Sequence, residues 1–154
     1  MKTFLKILFI FVMLSTNNVR ADLVKPNNGI EPYQVVKIQL KGLMNNDNPY
    51  KDVGIEQTWE FAHPNNQKYT GPLEKFKSML KGNDYSMLLN HSDHEVVEIF
   101  ISENVATYEV TVLDVEKKYY KFKWQVEKFN KEGPLKDCWL TTAVSQPISL
   151  GSSI

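Results

Sequence analysis

The spacing of apolar residues changes once along this chain, and that change constrains the fold more than any other feature. Before residue 82 the spacing is helical. Val36, Leu40, Leu43 and Met44 fall at steps of four, three and one. Ile55, Trp59 and Ala62 follow at four and three, and Leu73, Phe76, Met79 and Leu80 form a third stripe. From residue 97 the pattern alternates. Val97, Ile99 and Ile101 share one face. Ala106, Tyr108, Val110 and Val112 oppose Thr107, Glu109 and Thr111, and Tyr120, Phe122, Trp124 and Val126 oppose Lys121, Lys123, Gln125 and Glu127. Residues 138–144 read as a last strand. Helices first and strands after is an α+β pattern: three N-terminal helices packed on a curved antiparallel sheet of four or more strands.

Local signals place the boundaries. Pro32 suits the first turn of helix one, and Asn45-Asn46-Asp47-Asn48-Pro49 ends it. Gly42 weakens that helix or marks close packing. Asp52 is a candidate N-cap for helix two, which His63-Pro64 stops. Residues 65–70 read as a loop. Thr70 then caps helix three, with Pro72 in its first turn and Lys81-Gly82 at its end. Residues 22–31 are a polar lead-in, 32–147 one domain, and 148–154 a tail expected to fray.

Residues 1–21 have the form of a secretory signal peptide. Lys2 and Lys6 supply the basic start, an apolar run reaches Leu14, and Val19-Arg20-Ala21 offers a cleavage site. The unbroken run from Ile7 to Leu14 is far short of the ~20 residues that span a bilayer, so no stable membrane anchor is expected. The expected location is exported, periplasmic or secreted. The whole chain has 18 basic and 18 acidic residues. Removing Lys2, Lys6 and Arg20 leaves a net charge of −3. A mildly acidic domain is a poor general partner for nucleic acid. Lys121 and Lys123 alternate with Phe122 and Trp124, so charge and aromatic rings lie on opposite faces, which argues against single-strand binding. Cys138 is the lone cysteine and reads as a buried, inert thiol beside Asp137.

Candidate chemistry concentrates between Trp59 and Leu73. His63 reads as a general base, or as a hydrogen-bond donor beside Asn65 and Asn66. Its structural reading, a cap on the end of helix two, is favoured because no Asp or Glu stands nearby in sequence to orient the ring. Asn65 and Asn66 line a pocket mouth or close an Asx turn, and Gly71 and Pro72 shape the backbone. Tyr69 completes the polar set. Trp59, Tyr85, Trp124 and Trp139 belong to the core and to any cavity within it, with Trp124 and Trp139 expected nearest that cavity. His91, His94 and Glu95 invite a metal reading, but their order differs from the helical zinc motif, and a solvated turn is expected instead. No metal and no cofactor is expected. Phosphate loops, nucleophile elbows and Cys-x-x-Cys pairs are missing from the sequence.

The stretches Trp59-Glu60-Phe61-Ala62-His63-Pro64-Asn65-Asn66, Thr70-Gly71-Pro72-Leu73 and Cys138-Trp139-Leu140-Thr141-Thr142 are similar to the domain-of-unknown-function 4864 family. Helices followed by a meander resemble the wider nuclear-transport-factor-2-like (cystatin-like) cone fold, from about Pro32 to about Pro147. The resemblance implies a curved sheet wrapped against helices around a conical cavity. That wider fold hosts isomerases, dehydratases, cyclases and binders. The narrow family has no established activity, so no catalytic residue comes with it. The ketosteroid-isomerase type uses a carboxylate base with acidic or phenolic donors, and Tyr33, Tyr69, Tyr85 and Glu98 are residues of those kinds here.

The leading expectation is a binding module with an apolar pocket between helices and sheet, holding an apolar small molecule or a peptide segment. One alternative is a lyase or isomerase using His63 with a tyrosine. Another is an interaction protein that forms a homodimer through the outer sheet face.

Overall fold

The computed structural model describes residues 22–152; the signal peptide expected over 1–21 lies outside them. Four helices precede a five-stranded antiparallel sheet. The helices are α1 (Pro32–Met44), α2 (Val53–Glu60), α3 (Pro64–Thr70) and α4 (Leu73–Leu80). A 3₁₀ turn, Ser86–Leu88, leads into β1 (Asp93–Ile101), β2 (Val105–Leu113), β3 (Lys118–Lys128), β4 (Trp139–Val144) and β5 (Ile148–Ser152). The α+β class therefore holds. No helix among the described residues is long and apolar enough to cross a membrane.

Two elements exceed the expectation. Residues 65–70, read as a loop, are the body of α3. α2 stops at Glu60, short of the expected His63-Pro64, and Ala62 leaves the helical stripe to bridge Thr141; Pro64 occupies the first turn of α3, where its missing N–H costs nothing. Thr70 does not cap the following helix; it closes α3, donating its hydroxyl to the Asn66 carbonyl at 2.8 Å. The segment expected to fray also carries a strand. β5 pairs with residues 118–121 of β3, beside the stretch that β4 covers. The lead-in docks as well. Val24 exchanges two hydrogen bonds with the Gln57 side chain, at 2.7 and 2.8 Å.

The strand order is β1-β2-β3-β4, and register assigns the faces. Val96 pairs with Val110, Tyr108 with Trp124, and Val110 with Phe122, so these side chains share the inner face. Ala106, Tyr108, Val110 and Val112 are fully buried there, as are Val35, Val36, Leu40 and Leu43 from α1. Each such aliphatic or Phe side chain contributes roughly 1.5–3 kcal/mol by leaving water. Bulges between Glu98 and Phe100, Tyr119 and Tyr120, and Gln125 and Val126 break the ladders, and such bulges bend a sheet. β1 is an edge strand whose Val97, Ile99 and Phe100 stand about half exposed.

α1 and α2 cross at two glycines. A Cβ on Gly54 would stand 2.0 Å from the Gly42 carbonyl oxygen, so the backbones touch where a side chain cannot fit. The cap of α2 comes from elsewhere than expected. Asp52 sits at the N-cap in the left-handed region (φ 65°) and makes no capping bond. The buried Asn46 instead accepts the Ile55 N–H through Oδ1 at 3.0 Å, while Asp52 binds Lys81 Nζ at 2.6 Å.

Candidate functional site

A cavity of about 100 Å³ lies between the helices and the inner sheet face. Its residues run from buried to half-buried, giving it a floor and a rim. Gln39, Trp124 and Thr141 are buried at the floor; Asn66, Thr70, Met79 and Tyr85 are only part-buried. Apolar walls come from Leu43, Phe76, Leu80 and Leu88.

Gln39 organises the floor. It belongs to the same buried face of α1 as Val36, Leu40 and Leu43. A buried amide is costly unless every group is bonded. Here Oε1 accepts from Trp124 Nε1 at 2.9 Å and from Thr141 Oγ1 at 2.6 Å, while Nε2 donates to the Thr58 carbonyl at 3.0 Å. Thr58 Oγ1 donates to the Gly54 carbonyl at 2.8 Å. The floor's hydroxyl and indole donors are thus spent inside the protein, together with one N–H of the Gln39 amide. At the rim, Tyr85 donates to the Val144 carbonyl at 3.2 Å and Asn66 Nδ2 to the Thr141 carbonyl at 3.3 Å. Asn66 Oδ1 has no partner among the described residues and is left as an acceptor.

None of the fourteen lining residues is Asp, Glu, His, Lys, Arg or Cys. Tyr85 is the one ionisable group, and burial, with Asp84 nearby, pushes its pKa up. The lining is therefore neutral at physiological pH.

The structure divides the expected site residues. Tyr85, Trp124 and Asn66 meet at the cavity. His63 and Asn65 line a separate groove of about 420 Å³ with Glu127, Lys128 and Phe129. His63 does cap a helix, but it starts α3 rather than ending α2. Its Nδ1 accepts the Asn65 N–H at 3.0 Å, which leaves the proton on Nε2. Its ring meets Phe129 edge-on at 5.4 Å, and burial lowers its pKa despite Glu127. Trp59 packs on Phe76 with ring centres 5.0 Å apart. Gly71 makes room for it, since a Cβ there would stand 2.6 Å from the indole. Trp139 is buried beside Lys128 and away from the cavity, and Tyr69 is 75% exposed.

The remaining tyrosine and glutamate of interest also lie away from the cavity lining. Tyr33 packs edge-on against Tyr108 at 6.0 Å, and Glu98 pairs with Tyr108 across the sheet. The buried Tyr108 hydroxyl has no hydrogen-bond partner, and burial with Glu98 pushes its pKa up to about 12.

The solvated turn expected at His91–His94 is not what forms. His91 is 2% exposed and hydrogen-bonded to His94 at 2.8 Å. The described residues contain no cluster of three or more His, Cys, Asp or Glu able to hold a metal.

Gln39, Thr58 and Thr141 were not anticipated as site residues. A legible signal existed for Gln39, a lone amide on the apolar stripe of α1. Thr141 lies inside the Cys138–Thr142 stretch singled out earlier. Its carbonyl accepts the His63 N–H, and its N–H donates to the Phe61 carbonyl, both at 2.8 Å. Two of the stretches that carried the family resemblance thus meet at one bridge. Compared with protein-family models, curated proteins and solved structures, the chain finds no match.

Proposed function

We propose that this protein is a binding module for a small, neutral, largely apolar molecule held between α1–α4 and the sheet. The carrying observation is the cavity lining: buried at the floor, part-open at the rim, and without a formal charge. A charged ligand would lose its hydration there with nothing to replace it. The free acceptor at Asn66 suits a ligand carrying one hydroxyl or N–H. The size, well below the ~300–1,000 Å³ of drug-sized pockets, limits the guest to roughly a single ring or short chain. An acid–base enzyme is less well supported, because His63 faces another groove and Tyr85 stays protonated.

The test is thermal unfolding with phenol, cyclohexanol and butanol, in wild type and in a filled variant, Ala62→Met. At tenfold excess over its Kd, a guest that binds only the folded form adds about 1.4 kcal/mol and raises Tm. The expected result is a rise in wild type that Ala62→Met abolishes. No rise with any guest, or an equal rise in both proteins, would overturn the reading.

A further inference from the structure

The wall of the cavity at Leu88 is held from behind by a chain of four groups. Lys37 Nζ on α1 lies 3.0 Å from His94 Nε2. His94 Nδ1 lies 2.8 Å from His91 Nε2, and His91 Nδ1 lies 2.6 Å from the Leu88 carbonyl oxygen. The two ends determine where the protons are. A carbonyl oxygen only accepts, so His91 Nδ1 carries a proton. An ammonium only donates, so His94 Nε2 is bare. In between, His94 Nδ1–H donates to a bare His91 Nε2. Both imidazoles are neutral, and all the hydrogen bonds run one way, from α1 to the cavity wall.

One added proton breaks this chain wherever it lands. On His94 Nε2 it faces the Lys37 ammonium; on His91 Nε2 it faces the His94 N–H. The surrounding groups mostly resist that proton. α1 presents the Lys37 cation, and β2 places Val112 opposite His94 with no ionisable group. The Leu88 carbonyl favours a charged His91, and Asp93 favours both charged rings, but the Asp93 carboxylate already accepts the His94 backbone N–H at 2.9 Å. Burial and Lys37 outweigh it and lower the His94 pKa to about 4.

We propose that the Lys37–His94–His91–Leu88 chain is an acid-released latch on the cavity. Neutral rings hold the Ser86–Leu88 turn against α1; protonation frees the turn and releases the bound molecule. The release step rests on the binding role proposed above, whereas the motion of the wall does not. Tyr85 and Leu88, at the two ends of this turn, both line the cavity, so loosening it opens the site.

Hydrogen exchange, corrected for the intrinsic rate, tests the wall without any guest. Protection over residues 85–91 is expected to fall about tenfold or more between pH ~7 and pH ~4, while β2 and β3 stay protected. His94→Gln bridges the same neighbours without titrating and should flatten the profile. Lys37→Met removes the opposing cation and should move the midpoint to higher pH, which loss of a merely structural contact would not do. Phenol affinity should fall in step with protection. Unchanged wild-type protection, or an unshifted midpoint in both variants, would overturn the latch. So would phenol binding that persists undiminished after the wall has opened. If the wall opens as expected but phenol binds at neither pH, the latch stands and the binding role fails.

Discussion

Gln39 shows what a single residue does here. Its amide joins α1, α2, β3 and β4 through Thr58, Trp124 and Thr141. Gln39→Leu keeps the shape but strands an indole N–H and a hydroxyl, while the Thr58 carbonyl still accepts the Phe61 N–H. Each unpaired buried group costs about 1–3 kcal/mol, so a loss of roughly 2 kcal/mol or more is expected in urea unfolding. A loss under about 1 kcal/mol would show that water serves these groups instead. Gln39 falls three after Val36, on the buried face of α1, but an amide there was not singled out from the sequence. What periodicity could not supply were the partners, because Trp124 and Thr141 lie 85 and 102 residues away in sequence. The histidines were illegible for a related reason. The His91–His94 pair looks like a turn until Lys37, 57 residues from His94 in sequence, is packed against it. His63 was expected to cap the end of helix two and instead caps the start of α3, because local sequence does not say which flank of Pro64 continues as helix.

At the scale of elements, the contact between α1 and α2 is the most demanding. Gly42 was visible as an oddity within a helix, and its partner Gly54 was not, because a glycine near a helix start needs no special reason. Gly54→Ala would drive a methyl into the Gly42 carbonyl, where backbone and not a flexible side chain must yield. Overpacking of this kind costs typically 1–3 kcal/mol or more. Gly42→Ala meets Gln57 and the Gly54 carbonyl at 3.3 Å, a milder conflict. The expected order of urea midpoints is therefore wild type, then Gly42→Ala, then Gly54→Ala. Equal midpoints for the two variants would mean that the helices separate easily. The strands were the most legible elements, since alternation on β2 and β3 follows from one buried face. β5 was missed for the converse reason: all five of its residues are exposed, so burial left no pattern to read.

For the whole molecule, acid stability is the readout that sums these local environments. His63, His91 and His94 all titrate below the ordinary histidine value of 6.5 in the folded state, each chiefly through burial. A depressed histidine binds fewer protons folded than unfolded, so falling pH favours the unfolded chain. The loss begins near the unfolded value of 6.5 and, for His94, continues until about pH 4, where the folded ring also takes a proton. Because His94 is only part-buried, its share is discounted to on the order of 1–2 kcal/mol. Asp47 acts in a lower window. Its carboxyl is held below 3.8 by the Asp52 N–H and the Asn90 amide, and that stabilisation disappears only as pH falls further. Unfolding free energy should therefore decline in two stages, a histidine stage between pH 6.5 and about 4 and a carboxylate stage beneath it. Urea titrations across this range check the shape. The His94→Gln variant should lose much of the first stage and keep the second. A wild-type curve flat from pH 6.5 to about 4 would mean that the histidines are solvated, and with them the wall behind Leu88.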